Sequence, residues 1–325
     1  MRAVVARNPG GPDVLEIVDR LPPAIGPRDL LIRNFAAALN RADLHQRRGL
    51  YPPPPGESEV LGLEFAGEVA ETGSEVRSFR KGDRVFGLVG GGAYAELIAV
   101  PEELAIPIPD TLSFEAAAAI PEAFFLAEEA LFVLAGLQPG QVVIVHAGAS
   151  GVGMAAIQLA RARGLRVIAT TSSPEKAEAC RSMGATEALH GRDADFVAAA
   201  RNLTGGAGAD AVLDLVGASY WERNLQALRE GGALVLVGLL GGSRVEADLG
   251  VVLRKRLRII ATRLRSRSRE EKAMLAERFR RSVLPLVIEG RIRPVIDRIF
   301  PLEEVRAAHE RMEANLNVGK IVLRL

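Results

Sequence analysis

The segment from Val142 to Gly164, VVIVHAGASGVGMAAIQLARARG, most constrains the fold of this chain. Its four leading apolar residues predict a buried strand, and its alanine-rich end has the spacing of an amphipathic helix. Between them the chain follows the pattern G-x-G-x-x-G from Gly148 to Gly153, with Ser150 in place of the second glycine. A strand, a glycine-rich turn and a helix in this order predict the first half of a βαβ unit.

The glycine-rich turn indicates dinucleotide binding. We expect Gly148 to permit the tight turn, small residues after it to admit a pyrophosphate, and Gly153 to allow close helix packing. The helix N-terminus then faces the phosphates with its positive end. A purely structural turn is the alternative, but the flanking strand and helix favour a cofactor site. The predicted contacts are Gly148, Ser150, Gly151, Val152 and Gly153.

The pattern of predicted secondary structure changes near Glu122, which predicts two domains. The first third holds short strand-like runs between turn formers such as NPGGPD and YPPPPG, which is typical of a β domain. Buried strands then alternate with helices, which predicts an α/β fold: a doubly wound parallel sheet covered on both faces. The last strand, GKIVLRL, is expected to return to the N-terminal part. We predict one domain from residues 1–122 and 289–325, with a Rossmann domain of residues 123–288 inserted in it.

Composition excludes several classes. Lys and Arg (41) nearly balance Asp and Glu (40), so no net field attracts nucleic acid or anionic lipid. The only cysteine, Cys180, excludes an internal disulfide and a thiolate-rich zinc site, and the four histidines are scattered. No apolar stretch approaches the length of a membrane span. We therefore expect a cytoplasmic protein without a catalytic zinc.

The second strand of the α/β part bears on the choice of cofactor. NAD-binding domains place a carboxylate about 20 residues beyond the glycine loop. Here the strand ends in VIATTSSPEK, with Ser173 and Lys176 but no acidic residue at its tip. A hydroxyl and an ammonium suit a 2′-phosphate, which favours NADPH over NADH. Alternatively, Ser173 only caps the helix that Pro174 opens, and Lys176 is solvated; both interpretations can hold together.

Segments spread over nearly the whole chain carry a family resemblance. They include NRADLHQRRGLYPPPPG, LGLEFAGEV, AAAAIPEAF, HAGASGVGMAAIQLA and MEANLNVGKIVLRL. The chain resembles the zinc-independent quinone oxidoreductases, the zeta-crystallin branch of the medium-chain dehydrogenase/reductase superfamily, and within it the p53-inducible type. The resemblance implies a chaperonin-10-like β domain built from both chain ends, a Rossmann domain, and a cleft where nicotinamide meets substrate. It also implies a homodimer, for which an exposed late strand of the sheet is a candidate edge.

The resemblance assigns roles by position. Zinc-dependent relatives carry Cys where this chain has Asn40 and His where it has Leu63, so neither position holds a zinc ligand here. Asn40, Asp43 and Tyr51 are implied to line the substrate side, where Asn40 and Tyr51 are able to hydrogen-bond a quinone oxygen. The alternatives are that Asp43 caps the following helix and that Tyr51 packs on the proline run.

Further cofactor contacts are implied by the same resemblance. Ser173 and Lys176 match positions that take the 2′-phosphate. The remaining positions follow the later strands or form the C-terminal turn: Val216, Gly217, Gly238, Leu239, Leu240, Asn317, Gly319 and Lys320. Two departures concern Leu126, where relatives often carry Thr, and Arg192, near where many NADP-using members have a supporting Tyr.

These features predict an NADPH-dependent quinone oxidoreductase. Without zinc or another strong acid catalyst, the acceptor must itself be electrophilic, as a quinone or a conjugated carbonyl compound is. An NADPH-dependent enal or enone reductase is the enzyme alternative. A cofactor-binding structural or nucleic-acid-binding protein is the alternative of another class, supported only by the basic run from Arg254 to Lys272. That run lacks interleaved aromatic residues, so we expect no nucleic acid partner.

Overall fold

The computed structural model describes residues 1–325 and divides the chain into two compact units. The β unit contains Met1–Phe125 and Leu264–Leu325, and the α/β unit is the continuous segment Leu126–Arg263. In chain order the α/β unit is an insertion, as the sequence predicts.

The structure contains fifteen strands and eleven α-helices. The strands are β1 (Arg2–Ala6), β2 (Leu15–Asp19), β3 (Asp29–Ala38), β4 (Glu64–Thr72), β5 (Arg84–Leu88), β6 (Leu97–Pro101), β7 (Ala105–Pro107), β8 (Val142–Val145), β9 (Arg166–Thr171), β10 (Glu187–His190), β11 (Ala209–Asp214), β12 (Leu228–Leu236), β13 (Arg258–Ala261), β14 (Ile296–Pro301) and β15 (Lys320–Arg324). The α-helices are α1 (Arg41–Arg47), α2 (Phe114–Ala118), α3 (Pro121–Glu128), α4 (Gly151–Ala162), α5 (Pro174–Met183), α6 (Phe196–Leu203), α7 (Trp221–Ala227), α8 (Leu249–Arg254), α9 (Arg269–Ser282), α10 (Leu284–Ile288) and α11 (Val305–Glu313). None of the helices combines the length and the apolar composition that a bilayer crossing requires.

The α/β unit is built on one parallel sheet. Its six strands lie in the order β10-β9-β8-β11-β12-β13, and every neighbouring pair is parallel. The central strand β8 is buried throughout, because its four apolar side chains are covered from both faces. The order reverses between β8 and β11, which is the topological switch point where open α/β sheets bind their ligands.

The β unit joins the two ends of the chain in one sheet. Its strand order is β14-β15-β3-β4-β5-β7, with β6 also paired to β3. Residues Val322–Arg324 of the last strand run antiparallel to residues 36–38 of β3. The final strand therefore closes onto the N-terminal part, as predicted.

The boundary predicted at residue 288 lies too far along the chain. Helices α9 and α10 belong to the β unit, and the physical reason is an aromatic contact. The ring of Phe279 in α9 packs against Phe86 and Phe125, with centroids 6.0 and 4.9 Å away. Phe279 is thereby buried in the β unit. A helix of mixed polarity in the sequence gave no sign of which sheet it covers.

Candidate functional site

The turn between β8 and α4 owes its shape to Ala147 rather than to Gly148. The left-handed backbone conformation that the turn needs lies at Ala147, with φ 48°, so the role predicted for Gly148 requires correction. Glycine is instead required at position 148 because the neighbouring residues leave no room for a side chain. A Cβ built on it lies 2.9 Å from the Ala169 Cβ and 3.0 Å from the Cys180 Sγ. Glycine here lets the loop lie directly on β9 and α5.

Gly153 and Ser150 fix the first turn of α4. A Cβ at Gly153 lies 2.4 Å from the Gly148 carbonyl oxygen, so only glycine allows the helix to approach the loop this closely. Ser150 is the N-cap, and its hydroxyl accepts a hydrogen bond from the Gly153 N–H at 3.1 Å. The helix of 12 residues thus begins against a closely packed loop of small residues, with Gly151 and Val152 as its first two positions. This shape fits a pyrophosphate at the helix N-terminus.

The predicted cofactor residues of the α/β unit come together at one edge of its sheet. They follow the carboxyl ends of β8, β9, β11 and β12, which are consecutive neighbours in the parallel sheet. Parallel strands end at the same edge, so the four loops are adjacent. The sequence prediction had identified these loops one by one.

Ser173 and Lys176 lie at the end of β9. The Ser173 hydroxyl accepts a hydrogen bond from the Lys176 N–H at 3.3 Å and caps α5, with Pro174 as the first helical residue. The capping alternative is therefore correct, and it leaves the predicted phosphate role open because a hydroxyl is able to accept and donate at once. No carboxylate ends β9; Thr171 directs its hydroxyl to the carbonyls of Ser173 and Leu189, both at 3.1 Å.

Asp214 organises the loop after β11. Its Oδ1 accepts hydrogen bonds from the backbone N–H groups of Val216 and Gly217, at 2.7 and 3.0 Å. Gly217 has φ 82°, a conformation that favours glycine. Burial raises the pKa of the Asp214 carboxyl. The carboxylate thus shapes a loop that was predicted to flank the cofactor.

The loop after β12 runs beside this one. The Gly238 N–H donates to the Asp214 carbonyl at 3.2 Å, and the Leu240 N–H donates to the Leu215 carbonyl at 3.1 Å. The side chains of Leu239 and Leu240 are 54% and 51% exposed. Two adjacent exposed leucines form an apolar surface at this edge of the sheet.

The β unit buries a charged cluster, which we define as Asn40, Asp43, Glu64, Tyr94, Glu122 and Lys320. At its centre the Lys320 ammonium forms an ion pair with Glu64 and also donates to the Leu39 carbonyl and the Asn40 Oδ1, at 2.8 and 2.7 Å. All three donors of Lys320 are therefore used within the unit. The Asn40 amide donates to Glu64 at 2.8 Å. Both ends of the Asn40 amide are thus fixed, and the cofactor contact of Lys320 stays a prediction.

Asp43 caps α1, as the alternative interpretation held. Its Oδ2 accepts from the Asn40 N–H at 2.7 Å and from the Tyr94 hydroxyl at 3.1 Å, and its Oδ1 accepts from the Gly62 N–H at 3.3 Å. Burial is complete and raises the pKa of the carboxyl to about 6. Its catalytic role stays a prediction.

Glu122 is the acid of the charged cluster with the fewest partners. Its backbone N–H donates to Glu64 at 2.9 Å, but its own Oε2 is buried without a hydrogen-bond partner. Burial, with the nearby Glu64 carboxylate, raises the pKa of Glu122 to about 8. The side chain is therefore mostly protonated at neutral pH.

Tyr51 is held by Arg265. The buried guanidinium donates to the carbonyls of Tyr51 and Gly90, at 3.0 and 2.8 Å, and to the Gln46 side chain at 2.6 Å. It also lies 5.2 Å from the centre of the Tyr51 ring. Arg265 thus anchors the loop that carries the predicted substrate-side tyrosine.

The C-terminal turn before β15 has its own glycine requirement. Gly319 has φ 82°, and a Cβ on it lies 2.2 Å from the Val295 carbonyl oxygen. The Asn317 amide donates to the Gly319 carbonyl at 2.8 Å. Both residues therefore shape the entry of Lys320 into the charged cluster.

The basic run from Arg254 to Lys272 makes many contacts inside the two units. In the β unit Arg269 pairs with Glu103, and buried Lys272 pairs with Glu57 at 2.8 Å. In the α/β unit the Lys255 ammonium donates to three carbonyl oxygens. This use of its cations supports the interpretation of the run as structural.

Comparison with known proteins places this geometry in a family. Residues 26–110 match the alcohol dehydrogenase GroES-like domain, and residues 151–279 match the zinc-binding dehydrogenase family. A quinone oxidoreductase of Pseudomonas aeruginosa is 37% identical over 97% of this chain and 96% of that protein. The chain belongs to the quinone oxidoreductases of the medium-chain dehydrogenase/reductase superfamily.

Solved structures of the superfamily agree over the full length. The Escherichia coli quinone oxidoreductase, solved in complex with NADPH, is 30% identical, with a TM-score of 0.90 and full coverage of both chains. A structure described as an NAD-dependent alcohol dehydrogenase is 34% identical, with a TM-score of 0.88 and full coverage of both chains. The superfamily fold is therefore certain, while these relatives differ in cofactor and substrate.

The family description raises the question of zinc, and the residues of this chain do not fit it. Leu63 has no donor atom and is fully buried. Asn40 and Glu64 are bound to each other and to Lys320, whose positive charge opposes a metal cation. No group of three or more His, Cys, Asp or Glu is arranged to hold a metal ion.

Several residues of the site escaped sequence reasoning. Glu64, Tyr94 and Glu122 join the charged cluster through contacts between segments that are distant in the sequence. No local sequence pattern therefore predicts them. Asp214 and His146 did leave a signal: each is a polar side chain in, or next to, an otherwise apolar buried strand. A buried polar group of this kind needs a partner and so marks a network.

Proposed function

We propose that this protein is an NADPH-dependent quinone oxidoreductase that reduces quinones by hydride transfer without zinc. The observation that carries the proposal is the end-to-end similarity to proteins named quinone oxidoreductase, one of them solved with NADPH. When bound, NADPH supplies the hydride.

The loops at the edge of the parallel sheet are proposed to hold the cofactor. Gly148, Gly153 and the N-terminus of α4 would receive the pyrophosphate, supported by the absence of room for side chains at both glycines. Ser150, Gly151 and Val152 would present backbone amides. The loops at Val216–Gly217 and Gly238–Leu240 would flank the adenosine and the nicotinamide.

The end of β9 is proposed to select NADPH over NADH. A carboxylate there would repel a 2′-phosphate, whereas this strand ends in hydroxyl-bearing residues followed by Ser173 and Lys176. One of the similar structures is described as an NAD-dependent alcohol dehydrogenase, so NADH is the alternative cofactor. Binding measurements with NADPH and with NADH distinguish the two.

Asn40, Asp43 and Tyr51 are proposed to form the substrate side, with Asn317, Gly319 and Lys320 contributing to the cofactor site. Asn40 is kept in one orientation by Glu64 and Lys320, so its contribution is a fixed dipole. The Tyr51 hydroxyl would donate to the acceptor oxygen as negative charge develops on it. This assistance is modest, which is why an electrophilic quinone is the proposed acceptor.

Strand β13 supports a proposed homodimer. It is the last strand of the six-stranded sheet, and Arg258, Ile259 and Ala261 on it are exposed. An unpaired edge with an apolar side chain is a template for a second copy. The cytoplasm is the proposed location, because the single cysteine, Cys180, is a buried free thiol.

Oxidation of NADPH and, separately, of NADH by chelator-treated protein tests the proposal. The acceptors are an ortho-quinone and a conjugated enone, and the Tyr51→Phe variant is assayed in parallel with the wild type. We expect quinone turnover with NADPH that survives chelation and falls several-fold in the variant. Faster enone turnover would favour an alkene reductase, and NADPH binding without turnover of either acceptor would favour a structural role. Loss of activity on chelation would overturn zinc independence.

A further inference from the structure

The imidazole of His146 lies at the switch point of the parallel sheet. It follows β8 directly and precedes Ala147, where the chain turns into the glycine loop. Its backbone N–H donates to the Leu213 carbonyl of β11 at 3.1 Å. The residue therefore stands between the two strands whose loops are proposed to bind the cofactor.

Two hydrogen bonds of the ring extend in opposite directions. His146 Nδ1 lies 2.8 Å from the Thr170 hydroxyl of β9, and Nε2 lies 2.7 Å from the Asn224 Oδ1 of α7. The Asn224 amide in turn donates to the Asp214 Oδ2 at 3.0 Å. We call these four residues the imidazole network.

The directions of these bonds fix one tautomer. Because Asn224 uses its N–H₂ on Asp214, its oxygen must accept, and His146 must carry the proton on Nε2. Nδ1 then accepts from the Thr170 hydroxyl. A neutral ring in this tautomer satisfies every hydrogen bond of the network.

The network ends on backbone groups of the proposed cofactor loops. Asp214 accepts from the N–H groups of Val216 and Gly217. On the other side, the Thr170 carbonyl accepts from the Gly148 N–H at 2.9 Å. One imidazole therefore connects the glycine loop, through Thr170, with the loop after β11, through Asn224 and Asp214.

The surroundings hold the ring rigidly and keep it uncharged. All four members are at least 98% buried. The ring stands edge-on to Phe196 and Tyr220, with both centroids 4.8 Å away. Burial lowers the pKa of His146 to about 4. A side chain with two fixed partners and two aromatic walls has no freedom to adapt.

We infer that His146 is a positioning residue, which sets the distance between the glycine loop and the Val216–Gly217 loop and so tunes cofactor affinity. The inference rests on the proposed cofactor site. It assigns His146 no contact with the cofactor itself. Chemical participation in hydride transfer is likewise not part of its role.

The His146→Phe variant tests the inference, because phenylalanine keeps the ring packing and removes both hydrogen bonds. We expect the Kd for NADPH, measured by cofactor fluorescence, to rise on the order of tenfold, since Asn224 and Thr170 lose their partner and the loops shift. The KM for the quinone should change little. Ile144→Val is the matched control: it weakens the same strand, β8, without touching the network, and should leave the Kd unchanged.

One further measurement and two further variants separate positioning from general destabilisation. Amide hydrogen exchange of the cofactor-free protein should show faster exchange at Gly148, Val216 and Gly217 in His146→Phe but not in Ile144→Val. Thr170→Val breaks only one arm of the network, provides a milder variant should His146→Phe fail to fold, and should raise the Kd by a smaller factor. His146→Gln, which keeps a donor toward Asn224, should recover part of the affinity.

Opposite results would overturn the inference. Unchanged NADPH affinity and unchanged loop exchange in both His146→Phe and Thr170→Val would show that the network is only structural. Equal affinity losses in His146→Phe and Ile144→Val would show the same. If the wild type binds no NADPH, the proposed function fails, whereas the exchange measurement still reports whether His146 holds the loops.

Discussion

The two units of this protein each bury a polar network beside a sheet, and they do so with opposite chemistry. The charged cluster of the β unit centres on an ion pair, Lys320 with Glu64, inside a set of carboxyl, amide and phenol groups. The imidazole network of the α/β unit is built on a neutral ring, and its one carboxyl group, Asp214, is bound by an amide and by backbone N–H groups instead of a cation.

This difference has energetic consequences. A buried ion pair gives little net stability because desolvation offsets the attraction, yet removing one partner leaves an uncompensated charge. A network without an ion pair buries no cation, but it depends on one tautomer and one set of hydrogen-bond directions. The β unit should therefore be sensitive to the loss of a charge, and the α/β unit to the gain of one.

The Lys320→Met variant gives the largest expected effect. It removes the cation and leaves Glu64 buried without it, which costs about 3–5 kcal/mol of the free energy of unfolding. Urea unfolding of the full chain measures the loss. The Lys320→Met, Glu64→Gln double variant should recover part of it, because no unpaired charge then stays buried. Equal losses in the single and double variants would show that packing, not charge, is responsible.

Glu122 should make the β unit less stable as the pH rises. Its pKa is raised in the folded state to about 8, so its contribution is complete below about pH 4.5 and is lost as the pH rises through 8. Glu122→Gln stays neutral, and its stability relative to wild type should increase by up to about 4 kcal/mol between pH 5 and pH 9. Urea midpoints at pH 5, 7 and 9 measure this. Glu75→Gln, on an exposed side chain, is the control, and parallel curves for both variants would contradict the assignment.

His146 should act with the opposite sign in the α/β unit. Its pKa is lowered to about 4, so its contribution is complete above about pH 6.5 and is lost as the pH falls through 4. The wild type should lose up to about 2–3 kcal/mol relative to His146→Phe between pH 7 and pH 4. Thermal unfolding across this range measures the difference. The control is His190→Gln on the exposed end of β10, which should follow the wild type; a His146→Phe curve parallel to wild type would refute the assignment.

The smallest expected effect concerns a polar group near the surface. Ser173→Ala removes the N-cap of α5 and should cost about 1 kcal/mol, since one backbone N–H loses its acceptor. Ser268→Ala removes the N-cap of α9 in the β unit and should cost a similar amount. Only Ser173→Ala should also weaken the binding of NADPH relative to that of NADH, which isothermal titration calorimetry measures. An unchanged preference would remove Ser173 from the proposed phosphate site.

Local patterns in the sequence predicted the central elements of the α/β unit, but not its C-terminal boundary. Four apolar residues, a glycine loop and an alanine-rich helix identify β8, the turn and α4, because each depends on neighbours in the chain. The alternation of strands and helices then predicts a parallel sheet, whose strand order the structure supplies. The sequence did not predict which residue adopts the left-handed conformation. Ala147 adopts it, whereas glycine is needed at position 148 because β9 and α5 leave no room for a side chain.

The charged cluster was beyond the reach of sequence patterns. Asn40, Glu64, Glu122 and Lys320 come from four separate segments, and only the pairing of β15 with β3 brings the last of them to the others. Family resemblance pointed to Asn40 and Lys320 and gave Lys320 a cofactor contact, which stays a prediction, but it did not indicate the contacts of Lys320 with Leu39, Asn40 and Glu64. The topology of the fold, not the spacing of residues along the chain, determines long-range partners of this kind.

The return of the last strand to the first third of the chain also dictates an order of events during synthesis. Residues 36–38 of β3 receive their partner only when residues 322–324 have left the ribosome. Glu64 likewise gains its ion-pair partner Lys320 only at that stage. The α/β unit lies wholly upstream of residue 264 and is free to fold first, since domains fold as units while synthesis proceeds. A chain that stops before β15 would therefore present a complete α/β unit joined to a sheet with an unpaired edge, a feature that favours aggregation.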